Sequence, residues 1–116
     1  MKYWHLLFGS AVLLLAACAH AAGTTVAIEK FAFAPRELTV APGTTVVWTN
    51  HDETPHTISA KDGSFLSKAM DTDDHFEHTF ASAGDFTYFC TLHPFMTGVV
   101  HVRVDADAHA ASGTAK

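Results

Sequence analysis

The chain has 116 residues, room for one domain and too few for two ordinary ones. Nearly half of them (48%) are apolar, enough for a buried core, and twelve acidic against seven basic side chains give a formal charge of −5. That balance argues against a nucleic-acid partner, which would want a basic face.

Residues 1–22 read as an export signal. Lys2 supplies the positive start, residues 6–17 an apolar run centred on Leu13, Leu14 and Leu15, and Ala19-His20-Ala21 a small-x-small cleavage pattern. The run is too short for a good membrane span. A second cleavage route fits the same stretch. Leu15-Ala16-Ala17-Cys18 resembles the lipobox of bacterial lipoproteins, in which the cysteine is lipidated and becomes the mature N-terminus. Either route places the folded domain outside the cytoplasm, in the periplasm, and the second would anchor it to the membrane through Cys18. Loss of Lys2 leaves six basic against twelve acidic residues, a charge of about −6. Cys18 is then removed or converted to a thioether, so Cys90 is left alone and no disulfide can form within the chain. A lone thiol in an oxidising compartment is open to oxidation, from which a metal bond would protect it.

From residue 23 onward the apolar pattern alternates. Val26 and Ile28 alternate with Ala27 and Glu29, Leu38 and Val40 follow Pro35, and Pro42-Gly43 marks a turn. Val46 and Trp48 form the next alternating run, and residues 56–60 a short further one. Asp62 to Asp74 is less regular and reads as a loop across one edge. Phe76, His78 and Phe80 share a face, as do Phe86, Tyr88 and Cys90 after the Ala83-Gly84-Asp85 turn, and Val100, Val102 and Val104 close the series. About seven or eight short strands separated by turn residues predict an all-β, antiparallel Greek-key sandwich. The domain spans residues 23–105, and residues 106–116, small and polar without periodicity, read as a disordered tail.

The chemistry gathers in "CTLHPFM", residues 90–96. Cys90, His93 and Met96 each stand two residues from the next, on one tight loop between two strands, with Pro94 stiffening it. A soft thiolate and thioether favour copper over calcium or magnesium, and a blue-copper site needs two histidines, a cysteine and a long axial methionine. The second histidine has to come from elsewhere. The stretch "NHDETPHTI" supplies His56, whose approach Pro55 fixes, with His51 as the competing choice. Zinc fits poorly, because structural zinc sites prefer further Cys or His to Met.

With "FAFAPRELTVAPGTTVVWTN" and "GDFTYFCTLHPFMTGVVHV", these segments resemble the type I copper cupredoxins of the plastocyanin, pseudoazurin and amicyanin group, across nearly all of residues 25–104. The contracted ligand loop is most similar to amicyanin's. The resemblance implies a cupredoxin-like fold, one copper ion cycling between Cu(I) and Cu(II), and His56, Cys90, His93 and Met96 as its ligands. It also implies that Asn50 braces the ligand loops. His78 departs from it, standing where an aromatic residue is common.

The expected function is one-electron transfer between redox proteins, with docking near His93, Pro94 and Phe95 and no catalytic residue of its own. An envelope copper carrier or store would use the same residues and exchange the metal readily. A metal-free sandwich serving adhesion is the third reading. An oxygen-reducing enzyme is disfavoured, since there are no His-x-His pairs to build a copper cluster. A monomer is expected. Met70 is an alternative axial ligand. Phe31, Phe33, Trp48, Phe80, Phe86 and Tyr88 read as core, and His51, His75, His101 and His109 as surface. His78 reads as a satisfied or half-buried histidine, and Asp71, Asp73 and Asp74 as a solvated acidic loop.

Overall fold

The computed structural model describes residues 24–105. The expected export signal over 1–22, the Cys18 lipobox, the tail over 106–116 and His109 lie outside the described residues.

The described residues form eight strands and no helix: β1 (Thr24–Glu29), β2 (Ala32–Ala34), β3 (Glu37–Val40), β4 (Thr44–Asn50), β5 (Ser59–Ala60), β6 (His75–Phe80), β7 (Gly84–Phe89) and β8 (Thr97–Val102). They make two four-stranded sheets, ordered β2-β1-β4-β6 and β3-β8-β7-β5. The expected β-sandwich is present, but two of its pairings are parallel, β1 with β4 and β3 with β8. The reason lies in the path of the chain. After β2 it crosses to the other sheet as β3, turns through Pro42 and Gly43 (φ 92°), and returns as β4 alongside β1.

The alternation read from the sequence sets which face is buried. Along β4 the side chains of Thr44, Val46, Trp48 and Asn50 are buried while the residues between them are half-buried. Gly98, Val100 and Val102 do the same on β8. The core draws Val26, Ile28, Phe33, Val46, Trp48 and Phe80 from one sheet and Val40, Tyr88, Val100 and Val102 from the other. Trp48 and Tyr88 meet edge to face across the sandwich at 5.3 Å between ring centres. A Cβ on Gly98 would clash with Cζ and the hydroxyl oxygen of Tyr88, so only glycine fits beneath that end of the ring.

Several expectations are corrected. β2 is absent from the sequence reading, because three residues are too few to show a period. The strand expected over 56–60 shrinks to β5. His56 instead bridges Met70, and Ser59 bridges Leu66, so the chain pairs with its own loop before joining the sheet. β8 ends at Val102 and Val104 is exposed. Phe31 is not core: it lies in the turn after β1 and is 42% exposed. His78 is half-buried, packed on Phe65 (4.6 Å) and Phe80 (4.8 Å). His51 and His75 are exposed as expected, and so are Asp71, Asp73 and Asp74.

The parallel pairing of β1 and β4 brings their C-terminal ends to the same side of their sheet. The residues that follow them, Lys30 and Phe31 after β1 and the 51–56 loop after β4, therefore lie side by side.

Candidate metal centre

Cys90 follows directly on β7, and Met96 directly precedes β8. The five residues between them close a tight loop through three backbone hydrogen bonds: Cys90 N–H to Met96 O (3.1 Å), His93 N–H to Cys90 O (3.2 Å) and Met96 N–H to His93 O (2.9 Å). Pro94 offers no N–H, and none of these bonds calls for one there. The loop turns Cys90 and Met96 inward, both buried, and leaves His93 half-buried at its rim. Met96 is bonded through its backbone to Cys90 and His93, and Met70, buried too, is bonded through its backbone to His56.

His56 comes from the 51–56 loop and is fully buried. Asn50 shapes that loop. Its side-chain amide donates to Thr54 O (3.0 Å) and Met70 O (2.9 Å), and its Oδ1 accepts from Asp52 N–H (2.9 Å). Asn50 therefore braces the His56 loop against the 70–74 segment. The tie between the His56 loop and the Cys90 loop is Thr57, a residue the sequence reading passed over. Its hydroxyl accepts from Thr91 N–H at 2.8 Å and lies 2.8 Å from Thr91 Oγ1 and 3.8 Å from Cys90 Sγ. A hydroxyl has one proton and two lone pairs. All three contacts are satisfied when Thr91 donates both its N–H and its O–H to Thr57, and Thr57 donates to the sulfur.

His56, Cys90 and His93 converge, with one donor atom of each lying within 4.8 Å of the others. Cys90 Sγ is 3.8 Å from His56 Nδ1 and 3.7 Å from His93 Nδ1. Metal bonds of about 2.1 Å to nitrogen and about 2.3 Å to sulfur, opened to about 120°, separate N and S by about 3.8 Å. The triangle thus fits a single metal ion, and its thiolate and imidazole donors suit copper. Two buried thioethers neighbour this group along the chain, Met96 on the Cys90 loop and Met70 paired with His56. His51, the competing histidine, is exposed and does not join the group.

The far nitrogen of His56 is also engaged. Nε2 lies 2.8 Å from Asp52 Oδ2. Burial alone would raise the Asp52 carboxyl. The hydrogen bonds it accepts from Phe31 N–H, from His56 and from Lys30 N–H outweigh that and hold it below the ordinary carboxylate range. A proton on Nε2 would serve this contact and leave the Nδ1 lone pair facing the centre. Over the rim, Phe31 meets His56 edge-on at 5.3 Å and His93 at 5.1 Å. Leu92 and Phe95 are exposed beside it. Asp52, Thr57 and Phe31 carry no motif of their own, and only their nearness to the ligand loop in three dimensions identifies them.

Comparison with known proteins also points to copper. Residues 20–103 match the family model of copper binding proteins, plastocyanin/azurin family. The chain is 40% identical over 83 residues to amicyanin of Paracoccus versutus, an alignment covering 67% of this chain and 63% of that protein's length. It is 34% identical over 90 residues to amicyanin-alpha of Methylorubrum extorquens, covering 73% of this chain and 76% of the relative. The crystal structure of amicyanin from Paracoccus versutus superposes with a TM-score of 0.66 at 37% identity, over 75% of this chain and 87% of that one.

Proposed function

We propose, for a chain that belongs to the plastocyanin/azurin family of copper-binding proteins, that it carries single electrons between redox proteins, with His56, Cys90, His93 and Met96 as the residues that would hold its copper ion. The observation that carries this reading is the convergence of one thiol and two imidazole nitrogens in a pocket where Cys90 and His56 are both fully buried. Bound copper supplies a one-electron Cu(I)/Cu(II) couple.

The residues of the chain account for the rest. Burial of Cys90 keeps the thiolate from water and from oxidants. Asp52 holds the His56 ring, the closed 90–96 loop holds Cys90 and His93, and Thr57 ties the two together, so the site moves little whichever charge it carries. His93 is the half-buried member of the group, ringed by exposed Phe31, Leu92 and Phe95. That small apolar patch suits a brief, weak encounter with a redox partner around His93, Pro94 and Phe95. The N-terminal residues 1–22 serve as the export signal of a monomeric periplasmic domain over residues 23–105, anchored in the membrane if Cys18 is lipidated. No residue of the chain is assigned a catalytic role.

The test is spectroscopic. Copper(II) added to the full chain is expected to give an intense thiolate-to-copper charge-transfer band with narrow EPR hyperfine splitting, both lost in Cys90→Ser. A pale protein with ordinary splitting overturns the reading. A blue protein that yields its copper at once to a chelator is a carrier of the metal rather than of electrons.

A further inference from the structure

Between β1 and β2 the chain turns through two consecutive residues in the left-handed region, Lys30 (φ 54°) and Phe31 (φ 57°). Neither is glycine, and a bulky aromatic side chain is unusual there. Something outside the turn must hold it. Both backbone N–H groups point at one carboxylate: Lys30 N–H donates to Asp52 Oδ1 at 2.7 Å and Phe31 N–H to Asp52 Oδ2 at 3.0 Å. Successive N–H groups aimed at one anion make a cradle for negative charge. Oδ2 of that carboxylate is also the atom that meets His56 Nε2 at 2.8 Å.

Asp52 is itself fixed. Its N–H donates to Asn50 Oδ1 (2.9 Å), its carbonyl accepts from Thr72 Oγ1 (2.7 Å), and its side chain is only 14% exposed. One carboxylate therefore joins a metal-facing imidazole to a turn some twenty residues earlier in the chain. The turn, so held, sets the Phe31 ring edge-on against both imidazoles, at 5.3 Å from His56 and 5.1 Å from His93.

We propose that Asp52 is a positioning residue that works as a clasp: it fixes the Nε2-protonated form of His56 and, through the Lys30–Phe31 turn, seats Phe31 as a shield over the two histidines. The proposal rests on the copper-site reading for its consequence, slower loss of metal, but its geometric content stands in the metal-free protein. Asp52 orients the ligand from behind while Phe31 limits approach of water and chelators from the front. The two effects fail together when the carboxylate is removed and separately when only the ring is.

The experiment compares the full chain with Asp52→Ala, Asp52→Asn and Phe31→Ala. The first readout is nitrogen-15 and proton NMR of the metal-free proteins. The parent is expected to show His56 as a single Nε2–H tautomer with a slowly exchanging ring proton, and contacts from Phe31 to both imidazoles. Asp52→Ala should mix the tautomers and lose those contacts, whereas Phe31→Ala should keep the tautomer. The second readout is the rate of copper loss to a chelator, expected to rise about tenfold or more in Asp52→Ala and in Phe31→Ala. Should Asp52→Ala fail to fold, Asp52→Asn keeps the size, removes the charge and reads the same signals. A parent His56 protonated on Nδ1, or an Asp52 variant that keeps both the tautomer and the Phe31 contacts, overturns the clasp. Failure of the parent to form a blue centre overturns the copper reading and leaves the NMR comparison to decide the clasp.

Discussion

The backbone N–H of Thr57 donates to Cys90 Sγ at 3.3 Å, joining two loops that lie 33 positions apart. Hydrogen bonds to the sulfur draw electron density from it and are one of the means by which such sites set their potential. The Thr57 hydroxyl adds a second, longer contact to the sulfur and at the same time accepts from Thr91 N–H.

Thr57→Val keeps the shape and the backbone N–H but removes the hydroxyl. Thr91 N–H then loses its acceptor, and because Thr91 is exposed and water can take the acceptor's place, the expected cost is about 0.5–1.5 kcal/mol, that of one ordinary hydrogen bond. Urea unfolding checks that. The copper centre should keep its colour while its potential falls, because the sulfur becomes the better donor. Voltammetry reads the shift, and an unchanged or raised potential would show that the hydroxyl does not act on the sulfur.

Gly98 lies beneath the Tyr88 ring, where an added methyl would overlap ring carbons and the hydroxyl. Tyr88 is nearly fully buried and wedged against Trp48 and Phe33, so it has nowhere to retreat. Gly98→Ala is expected to cost about 2–3 kcal/mol through overpacking. That corresponds to a fall in Tm of roughly 10 °C or more for a domain of this size. A melting temperature within a degree or two of the parent would mean that the ring swings aside.

On the outer face of the second sheet, His101 is held by Asp85 (2.7 Å) and Glu37 (3.3 Å), and Arg103 reaches the same Asp85 oxygen at 2.6 Å. The bond to Asp85, then that to Glu37, raises the His101 pKa above its ordinary value. A folded value above the unfolded one means that the stabilisation is complete below a pH of about 6.5 and is lost as pH rises through the folded value. Asp85, lowered by His101 and then by Arg103, works in the opposite sense, losing its contribution as pH falls through its folded value. His101→Gln should therefore lower the urea midpoint at mildly acid pH and match the parent at alkaline pH. The difference should be small and should shrink in salt, since these groups are at the surface. An offset that stays constant with pH would remove His101 ionisation as its source.

Phe95 is 72% exposed beside His93, and its ring lies 6.1 Å from the imidazole. Phe95→Asp places a charge in the apolar patch without touching a metal-facing atom. Electron exchange with the natural partner should slow by about tenfold, the loss of one good apolar contact, while the visible spectrum stays as it was. Stopped-flow rates equal to those of the parent would move the docking surface elsewhere.

Much of the site is legible along the chain because its parts are local. Cys90, His93 and Met96 share one loop of fixed length, so their spacing carries the geometry. Pro55 marks His56 as the residue where the chain re-enters a paired conformation. The alternation of Val46 with Trp48 and of Val100 with Val102 announces a sandwich, since a strand with one buried face must repeat every second residue. What escapes this reading is short or long-range. β2 is three residues long, and Phe31 looks like one more core aromatic until its turn is seen to carry it to the rim.

By itself the sequence determined that the chain is all-β, that its chemistry centres on residues 90–96, and that a soft metal is the fitting occupant. These follow from side-chain type and from spacings within a single strand or loop. Only the tertiary structure decided that β1 and β4 run parallel, that Thr57 meets the sulfur, and that Asp52 grips His56 and the Lys30–Phe31 turn together. Hydrogen bonds between residues twenty or thirty positions apart leave no period in the chain. They exist only once two sheets have packed and brought their loop-bearing ends to one side.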